Sequence, residues 1–90
     1  MKNYYSTLDD IVLTFSDIEE NNGFDEISVR FERAGHSDGF DFAEGKLPNN
    51  IFYKSFGFSE DDLMELGQYL KNNEALIWEI ARENGGTARA

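Results

Sequence analysis

A strict alternation of apolar and polar side chains between residues 27 and 32 constrains the fold of this chain most. The apolar members are Ile27, Val29 and Phe31, and the polar members are Ser28, Arg30 and Glu32. A period of two separates these sets onto the two faces of a β-strand, so one face is predicted to be buried and the other to meet water. Because one amphipathic strand is not stable alone, partner strands and a cover for the apolar face must come from elsewhere in the chain.

Two turns and two further aromatic strands are predicted after this strand. The segment 35–39 ends in Asp38-Gly39, a favoured hairpin pair, and Phe40 resumes the alternation behind it. A second turn is predicted over 45–50 and a third strand over 51–58. The result is a three-stranded antiparallel meander. Cross-strand salt bridges are expected between its cations and carboxylates, which are Arg30, Arg33, Lys46 and Lys54 on one side and Glu32, Asp41 and Glu44 on the other.

The residues before the alternation fit two structures. Apolar side chains recur there at spacings of three and four, which predicts a helix. They are Tyr4, Tyr5, Leu8, Ile11, Val12, Phe15 and Ile18. Ser6 or Thr7 can serve as the N-cap of this helix, and Asn21-Asn22-Gly23 would end it. A strand over 11–15 is the alternative, since β-branched residues cluster there. Helix and strand both stay open for residues 6–20.

Two helices are predicted after the meander. Ser59 is a helix N-cap with Asp62 at the reciprocal position of a capping box. The apolar stripe of the first helix is Leu63, Leu66 and Leu70, and that of the second is Leu76, Ile77, Ile80 and Ala81. Asn72-Asn73 interrupts the pattern between the two helices, and Gly85-Gly86 ends the second.

These elements predict an α+β fold with the order α-β-β-β-α-α, in which a small three-stranded antiparallel β-meander packs against helices. The chain has 90 residues, of which 40% are hydrophobic. This is enough for one core and too apolar for a disordered protein. No repeat or linker indicates a second domain, so residues 1–86 are predicted to form one domain and residues 87–90 a frayed tail.

Charge and cysteine content exclude several functions. The net charge is −10, and the acidic excess lies in residues 1–26 and 60–90, because residues 27–59 hold equal numbers of basic and acidic side chains. An anionic surface repels phosphate backbones and anionic lipids, which argues against direct binding to nucleic acid or to membranes. The chain has no cysteine, no signal-peptide core and no run of about 20 apolar residues, so a cytoplasmic protein is expected.

No catalytic, cofactor-binding or metal-binding site is predicted. His36 lies close to Asp38, but a solvated turn lacks the burial and rigidity that a proton relay requires. The acidic segment 17–28 fails as an EF-hand loop, since Asn22 stands where the turn needs Gly and Ser28 where the closing Glu is required. The chain is therefore predicted not to be an enzyme and to use no cofactor.

Six aromatic side chains between residues 40 and 58 are expected to lie mainly in the core. They are Phe40, Phe42, Phe52, Tyr53, Phe56 and Phe58. If both faces of the sheet carry rings, the exposed half marks a protein-binding patch. Tyr53, Phe56 and Trp78 are the predicted partner-binding residues, with Trp78 included because tryptophan is enriched in binding hot spots.

These features favour a non-enzymatic protein–protein interaction module, with another protein as its partner and a monomer as its expected state. The alternative is an acidic nucleic-acid mimic that inhibits a DNA- or RNA-handling protein, in which carboxylates along the helices replace phosphates.

Two stretches carry a resemblance to known proteins. They are Phe40–Pro48, with the sequence FDFAEGKLP, and Leu76–Ala81, with the sequence LIWEIA. Together with the general character of the chain, they resemble the short acidic uncharacterised proteins of bacterial mobile elements. The resemblance implies a biological setting, but it implies no activity and no site residue.

Overall fold

The computed structural model describes residues 2–34 and 39–85. Within these residues, six strands are followed by one helix. The strands are β1 (Asn3–Leu8), β2 (Ile11–Phe15), β3 (Glu19–Asn21), β4 (Phe24–Ala34), β5 (Phe40–Leu47) and β6 (Ile51–Phe56), and the helix is α1 (Glu60–Gly85). Residues 35–38 of the first predicted turn and the predicted tail at 87–90 lie outside the described residues.

The six strands form one antiparallel sheet in the order β1-β2-β4-β5-β6, and the short strand β3 pairs with the start of β4. Strand β4 is the centre of the sheet, because its 11 residues pair with β2, β3 and β5. The strands β1 and β6 are the two edges. The alternation at residues 27–32 lies in the middle of β4, so the strand predicted there is confirmed.

Helix α1 packs against one side of the sheet, here called the inner face; the opposite side is the outer face. Buried apolar side chains of both layers form one core between them. Its sheet members are Leu13, Phe15, Ile27, Val29, Phe31, Ala43 and Leu47, and its helix members are Leu66, Leu70, Ile77 and Ala81. The sheet members occupy alternate positions of β2, β4 and β5, as a strand with one buried face requires.

The predicted fold class is wrong. The described chain has six antiparallel strands and one C-terminal helix instead of a three-stranded meander with the order α-β-β-β-α-α. The largest error concerns residues 3–15, which form the hairpin β1-β2 instead of a helix. The alternative strand over 11–15 is confirmed as β2. Asp9, interpreted as a first-turn helix acid, has φ +57° in the hairpin turn. Aspartate tolerates this left-handed conformation better than most residues do, and the β-branched residues behind it favour a strand.

A second hairpin occupies the place where the sequence predicted the end of a helix. Asn22 and Gly23 both have positive φ, at +54° and +86°, and they join β3 to β4. Asn-Gly is the favoured pair for a two-residue hairpin turn, since both positions require positive φ. The turn predicted over 45–50 is shorter than expected, because β5 continues to Leu47.

The two predicted C-terminal helices are one helix of 26 residues. The capping box at its start is confirmed: the Asp62 N–H donates to Ser59 Oγ and the Ser59 N–H donates to Asp62 Oδ2, both at 3.0 Å. Asn73 does not interrupt the helix, since its amide donates to the Tyr69 carbonyl oxygen at 2.7 Å and accepts a bond from the Tyr5 hydroxyl at 2.8 Å. A contact with the first strand thus stabilises a residue that usually weakens helices.

Candidate interaction surface

Three phenylalanine rings form a cluster on the outer face of the sheet. Phe40 and Phe42 alternate with the inward side chains of β5, and Phe56 of β6 pairs with Phe42 across the strands. The Phe42 and Phe56 rings are stacked, with centroids 6.5 Å apart and planes inclined by 25°. Phe40 is 60% exposed and Phe56 is 67% exposed. These three residues are called the outer aromatic cluster below.

Two cations lie against this cluster. The Arg30 guanidinium carbon is 4.6 Å from the Phe42 ring centroid, and the Lys54 amine is 5.9 Å from it. Both distances fit cation–π contacts, which favour a charge over the ring face. Arg30 also pairs with Glu44 and, at 3.5 Å, with Glu32. These ion pairs hold the Arg30 guanidinium over the ring.

Carboxylates balance the basic side chains of the outer face. Lys46 lies 3.4 Å from Glu26, and Arg30 is paired as described. This face carries three basic and four acidic side chains, namely Arg30, Lys46 and Lys54 with Glu19, Glu26, Glu32 and Glu44. Glu19 of β3 belongs to it because it pairs with Glu26 and accepts a hydrogen bond from Ser28 Oγ. The outer face is therefore close to neutral on a chain whose net charge is −10.

The predicted cross-strand salt bridges are confirmed for Arg30 and Arg33, whereas Lys46 pairs with Glu26 instead of a predicted partner and Lys54 has no salt bridge among the described residues. Arg30 pairs with Glu44, and Arg33 Nε lies 2.8 Å from Asp41 Oδ2, in both cases across β4 and β5. Asp41 is the buried charged residue of the described chain, and its bond to Arg33 raises the pKa of the guanidinium. Because this carboxylate is fully engaged in an ion pair, it serves the structure of the sheet.

The structure separates the predicted partner-binding residues. Tyr53 is 58% exposed and lies on the edge strand β6, three residues before Phe56. Trp78 lies on α1, where it is half-buried against the core, so it does not join the other two. The expectation that most of the six rings lie in the core is wrong, since only Phe52 and Phe58 pack against it.

Phe40, Phe42 and Arg30 belong to this surface but were not among the predicted partner-binding residues. They could have been identified from the alternation in β5, which determines the positions that face inward and those that face outward. Ala43 and Leu47 stand at odd positions and fill the inner face with apolar groups, so the even positions, including both rings, must face outward. The alternation that identified β4 therefore also assigns the faces of β5.

Comparison with protein-family models, curated proteins and solved structures finds no match.

Two clefts lie away from the outer aromatic cluster. One, of about 100 Å³, lies between the β1-β2 turn and the start of α1, and Asp9, Asp62 and Glu65 supply its carboxylates. The hydrogen bonds from Ser59, together with the Arg33 charge, lower the pKa of Asp62. This end of the molecule is strongly acidic.

The second cleft, of about 320 Å³, is open and lies between the β3-β4 hairpin and the β5-β6 turn. Phe24, Asp25 and Pro48 are among its lining residues. Among residues 2–34 and 39–85, no group of three or more histidine, aspartate or glutamate side chains is arranged to hold a metal ion. Nor does the described part of the chain contain a helix with the length and apolar character needed to cross a membrane.

Proposed function

We propose that this chain is a non-enzymatic module that binds another polypeptide through the outer aromatic cluster. The observation that carries the proposal is the exposure of Phe40 and Phe56, at 60% and 67%, beside the stacked ring of Phe42. Large rings that are exposed together are typical of protein-binding patches. Aromatic and arginine side chains are also the residues that contribute most to binding energy at interfaces.

Arg30 of this surface is already ordered in the unbound chain. Arg30 is held over Phe42 by Glu32 and Glu44, so it loses little conformational freedom when an interface forms. Burying one exposed phenylalanine contributes roughly 1.5–3 kcal/mol. Two such rings supply a large part of the energy that a moderately stable complex requires. As part of the same proposal, the module acts in the cytoplasm and uses no cofactor.

An inhibitory mimic of nucleic acid is the second candidate, and the acidic end of the molecule favours it. Asp9, Asp62 and Glu65 converge there from two elements, and such a surface attracts a cationic groove. The acidic row on α1 is short, however. Asp61 and Glu65 are followed one and two turns later by the neutral side chains Gln68 and Asn72, whereas a phosphate backbone carries charge without a break.

Site-specific photo-crosslinking tests the proposal. A photoreactive benzoylphenylalanine replaces Phe56 in one version of the full chain and Phe24 in another. Phe24 is the matched control, because it is a phenylalanine that is 73% exposed and lies at the opposite end of β4. After irradiation in an extract of the cells that express the chain, we expect a covalent adduct with a polypeptide from position 56 and none from position 24.

Lys54→Glu provides a second comparison, because it places a negative charge beside the Phe42 ring. We expect it to lower the yield of the position-56 adduct at least tenfold. Equal yields from positions 56 and 24, or no adduct from position 56, would contradict the proposal. A third version carries the photoreactive residue in place of Leu8, which lines the acidic cleft and is 49% exposed. An adduct that forms from position 8 and not from position 56, and that disappears at 0.5 M salt, would favour the nucleic-acid mimic instead.

A further inference from the structure

The charge of the outer face restricts the kind of partner that fits it. Its three basic and four acidic side chains leave it one charge from neutral, while the whole chain carries −10. A strongly basic partner is drawn to the acidic ends of the molecule, since electrostatic attraction follows the excess charge. A strongly acidic partner is repelled by the whole molecule. The outer aromatic cluster therefore suits a surface that is itself apolar and close to neutral.

A second copy of this chain provides such a surface. Two copies repel each other wherever their acidic ends meet, and this repulsion is smallest when the nearly neutral faces are apposed. An interface with two-fold symmetry also requires one patch to complement itself. The outer face meets this requirement, because it has rings at its centre and both signs of charge around them.

Lys54 is a cation of the outer face that is available for such a contact. Among residues 2–34 and 39–85, no salt bridge within 4.0 Å includes its amine. Glu32, on the same face, has only the 3.5 Å contact with Arg30. In a symmetric pair, the Lys54 amine of each copy can approach a carboxylate of the other, and each such contact occurs twice.

We propose that the outer aromatic cluster binds a second copy of this chain and forms a symmetric homodimer through the outer faces of the two sheets. This inference rests on the proposed function, because it identifies the partner of the same surface. The charge distribution predicts an unusual salt dependence. Since the acidic ends repel across the dimer, added salt screens the repulsion and strengthens the association.

Analytical ultracentrifugation of the purified full chain tests the inference. The protein is measured from about 5 μM to about 1 mM, a range chosen because weak homodimers dissociate within it, at low salt and at 0.5 M NaCl. We expect a reversible dimer whose dissociation constant falls as salt rises. Phe56→Ser should raise the constant at least tenfold, whereas Met64→Ser, at a similarly exposed apolar side chain on α1 and so away from the outer face, should leave it unchanged.

A pair of charge reversals provides a second and independent control. Lys54→Glu and Lys71→Glu both change the net charge equally and both replace exposed lysines, but Lys71 lies on α1. We expect Lys54→Glu to abolish the dimer and Lys71→Glu to weaken it less than threefold. Equal effects of the two reversals, or a dimer that Phe56→Ser leaves intact, would overturn the inference.

The same measurements separate this inference from the proposed function. If the chain is monomeric at 1 mM while position 56 still crosslinks to a different polypeptide, the homodimer proposal is wrong, but the proposal that the outer aromatic cluster binds a polypeptide is supported. If the chain is monomeric and position 56 yields no adduct, both proposals are wrong. An adduct at twice the mass of the chain from purified protein supports both.

Discussion

The two faces of the sheet use the same type of side chain for opposite purposes. On the inner face, Phe15 and Phe31 are buried, with at most 1% of their surface exposed, and they make edge-to-face contacts with neighbouring rings. On the outer face, Phe42 and Phe56 stack on each other and remain accessible. The inner rings stabilise the fold through burial, whereas the outer rings keep an apolar surface open to a partner.

The difference between the faces arises from the phase of each strand and not from local hydrophobicity. Leu13 pairs with Phe31 across β2 and β4, and Phe31 with Ala43 across β4 and β5, so one inward row runs through three strands. A shift of one residue would exchange the two faces entirely. Small and aliphatic residues complete the inward row, and the aromatic residues of β5 are left on the outside.

Replacing one ring on each face tests this comparison and gives the largest expected effect. Phe31→Ala should lower the free energy of unfolding by about 3–5 kcal/mol, because it removes a fully buried ring and leaves a cavity. Phe56→Ala should lower it by less than about 1 kcal/mol, since an exposed ring contributes little to folding. Urea denaturation followed by circular dichroism measures both. Similar losses from both variants would contradict the division into two faces.

Two glycines with a left-handed backbone conformation test how closely the end of the sheet is packed. Gly57 has φ +89°, and a Cβ added there would lie 2.0 Å from the Asp41 Oδ1 atom. Gly23 has φ +86°, and a Cβ there would meet no atom within 4 Å. Gly23→Ala should therefore cost about 1 kcal/mol of stability, from backbone strain alone.

Gly57→Ala should cost roughly 1–3 kcal/mol more than Gly23→Ala, because the added methyl group displaces a buried carboxylate and disrupts its 2.8 Å bond to Arg33. Thermal unfolding of both variants measures the difference. In the background of Asp41→Gly, which removes the carboxylate and also the Asp41 Cβ that would lie 2.9 Å away, the extra cost of Gly57→Ala should disappear. An extra cost that persists in this background would show that Asp41 is not its source.

Sequence patterns predicted those features of the fold that depend on near neighbours. The alternation in β4 and the Ser59–Asp62 capping box each involve residues within a few positions of one another. The Arg33–Asp41 pair was also predictable, since a hairpin brings residues eight positions apart together. For the same reason, the phase of β5 could have identified the outer aromatic cluster.

The β-branched residues at 11–15 allowed a strand there, but they did not exclude a helix. The choice between the two, and the continuity of α1, depend on distant residues. Spacings of three and four occur by chance when two short apolar strands follow each other, and only the pairing of Leu13 with Phe31 shows that β2 belongs to the sheet. Similarly, α1 continues through Asn73 because the Tyr5 hydroxyl, 68 positions away in the sequence, bonds to its side chain.

The pH dependence of the helix cap is the smallest of these effects, and it concerns the inner side, where Asp62 also faces Arg33. Two hydrogen bonds with Ser59 lower the pKa of Asp62 below its ordinary value. A carboxylate of this kind adds stability above its unfolded pKa of about 3.9, and the contribution is lost as the pH falls through the lower pKa of the folded state. Above about pH 5, we expect the native chain to have a larger free energy of unfolding than the Asp62→Asn variant. This difference should shrink towards zero as the pH falls below the pKa of Asp62 in the folded state.

Asp61→Asn is the matched control, because Asp61 lies in the same first turn but outside the capping box. The difference in stability between Asp61→Asn and the native chain measures two general effects of a first-turn carboxylate. These are its repulsion of other carboxylates and its interaction with the helix dipole. Urea denaturation between pH 2.5 and 7 of all three proteins isolates the capping contribution. If Asp61→Asn and Asp62→Asn follow the same pH curve, the stabilisation comes from charge near the helix end, and the reciprocal bonds with Ser59 add nothing to it.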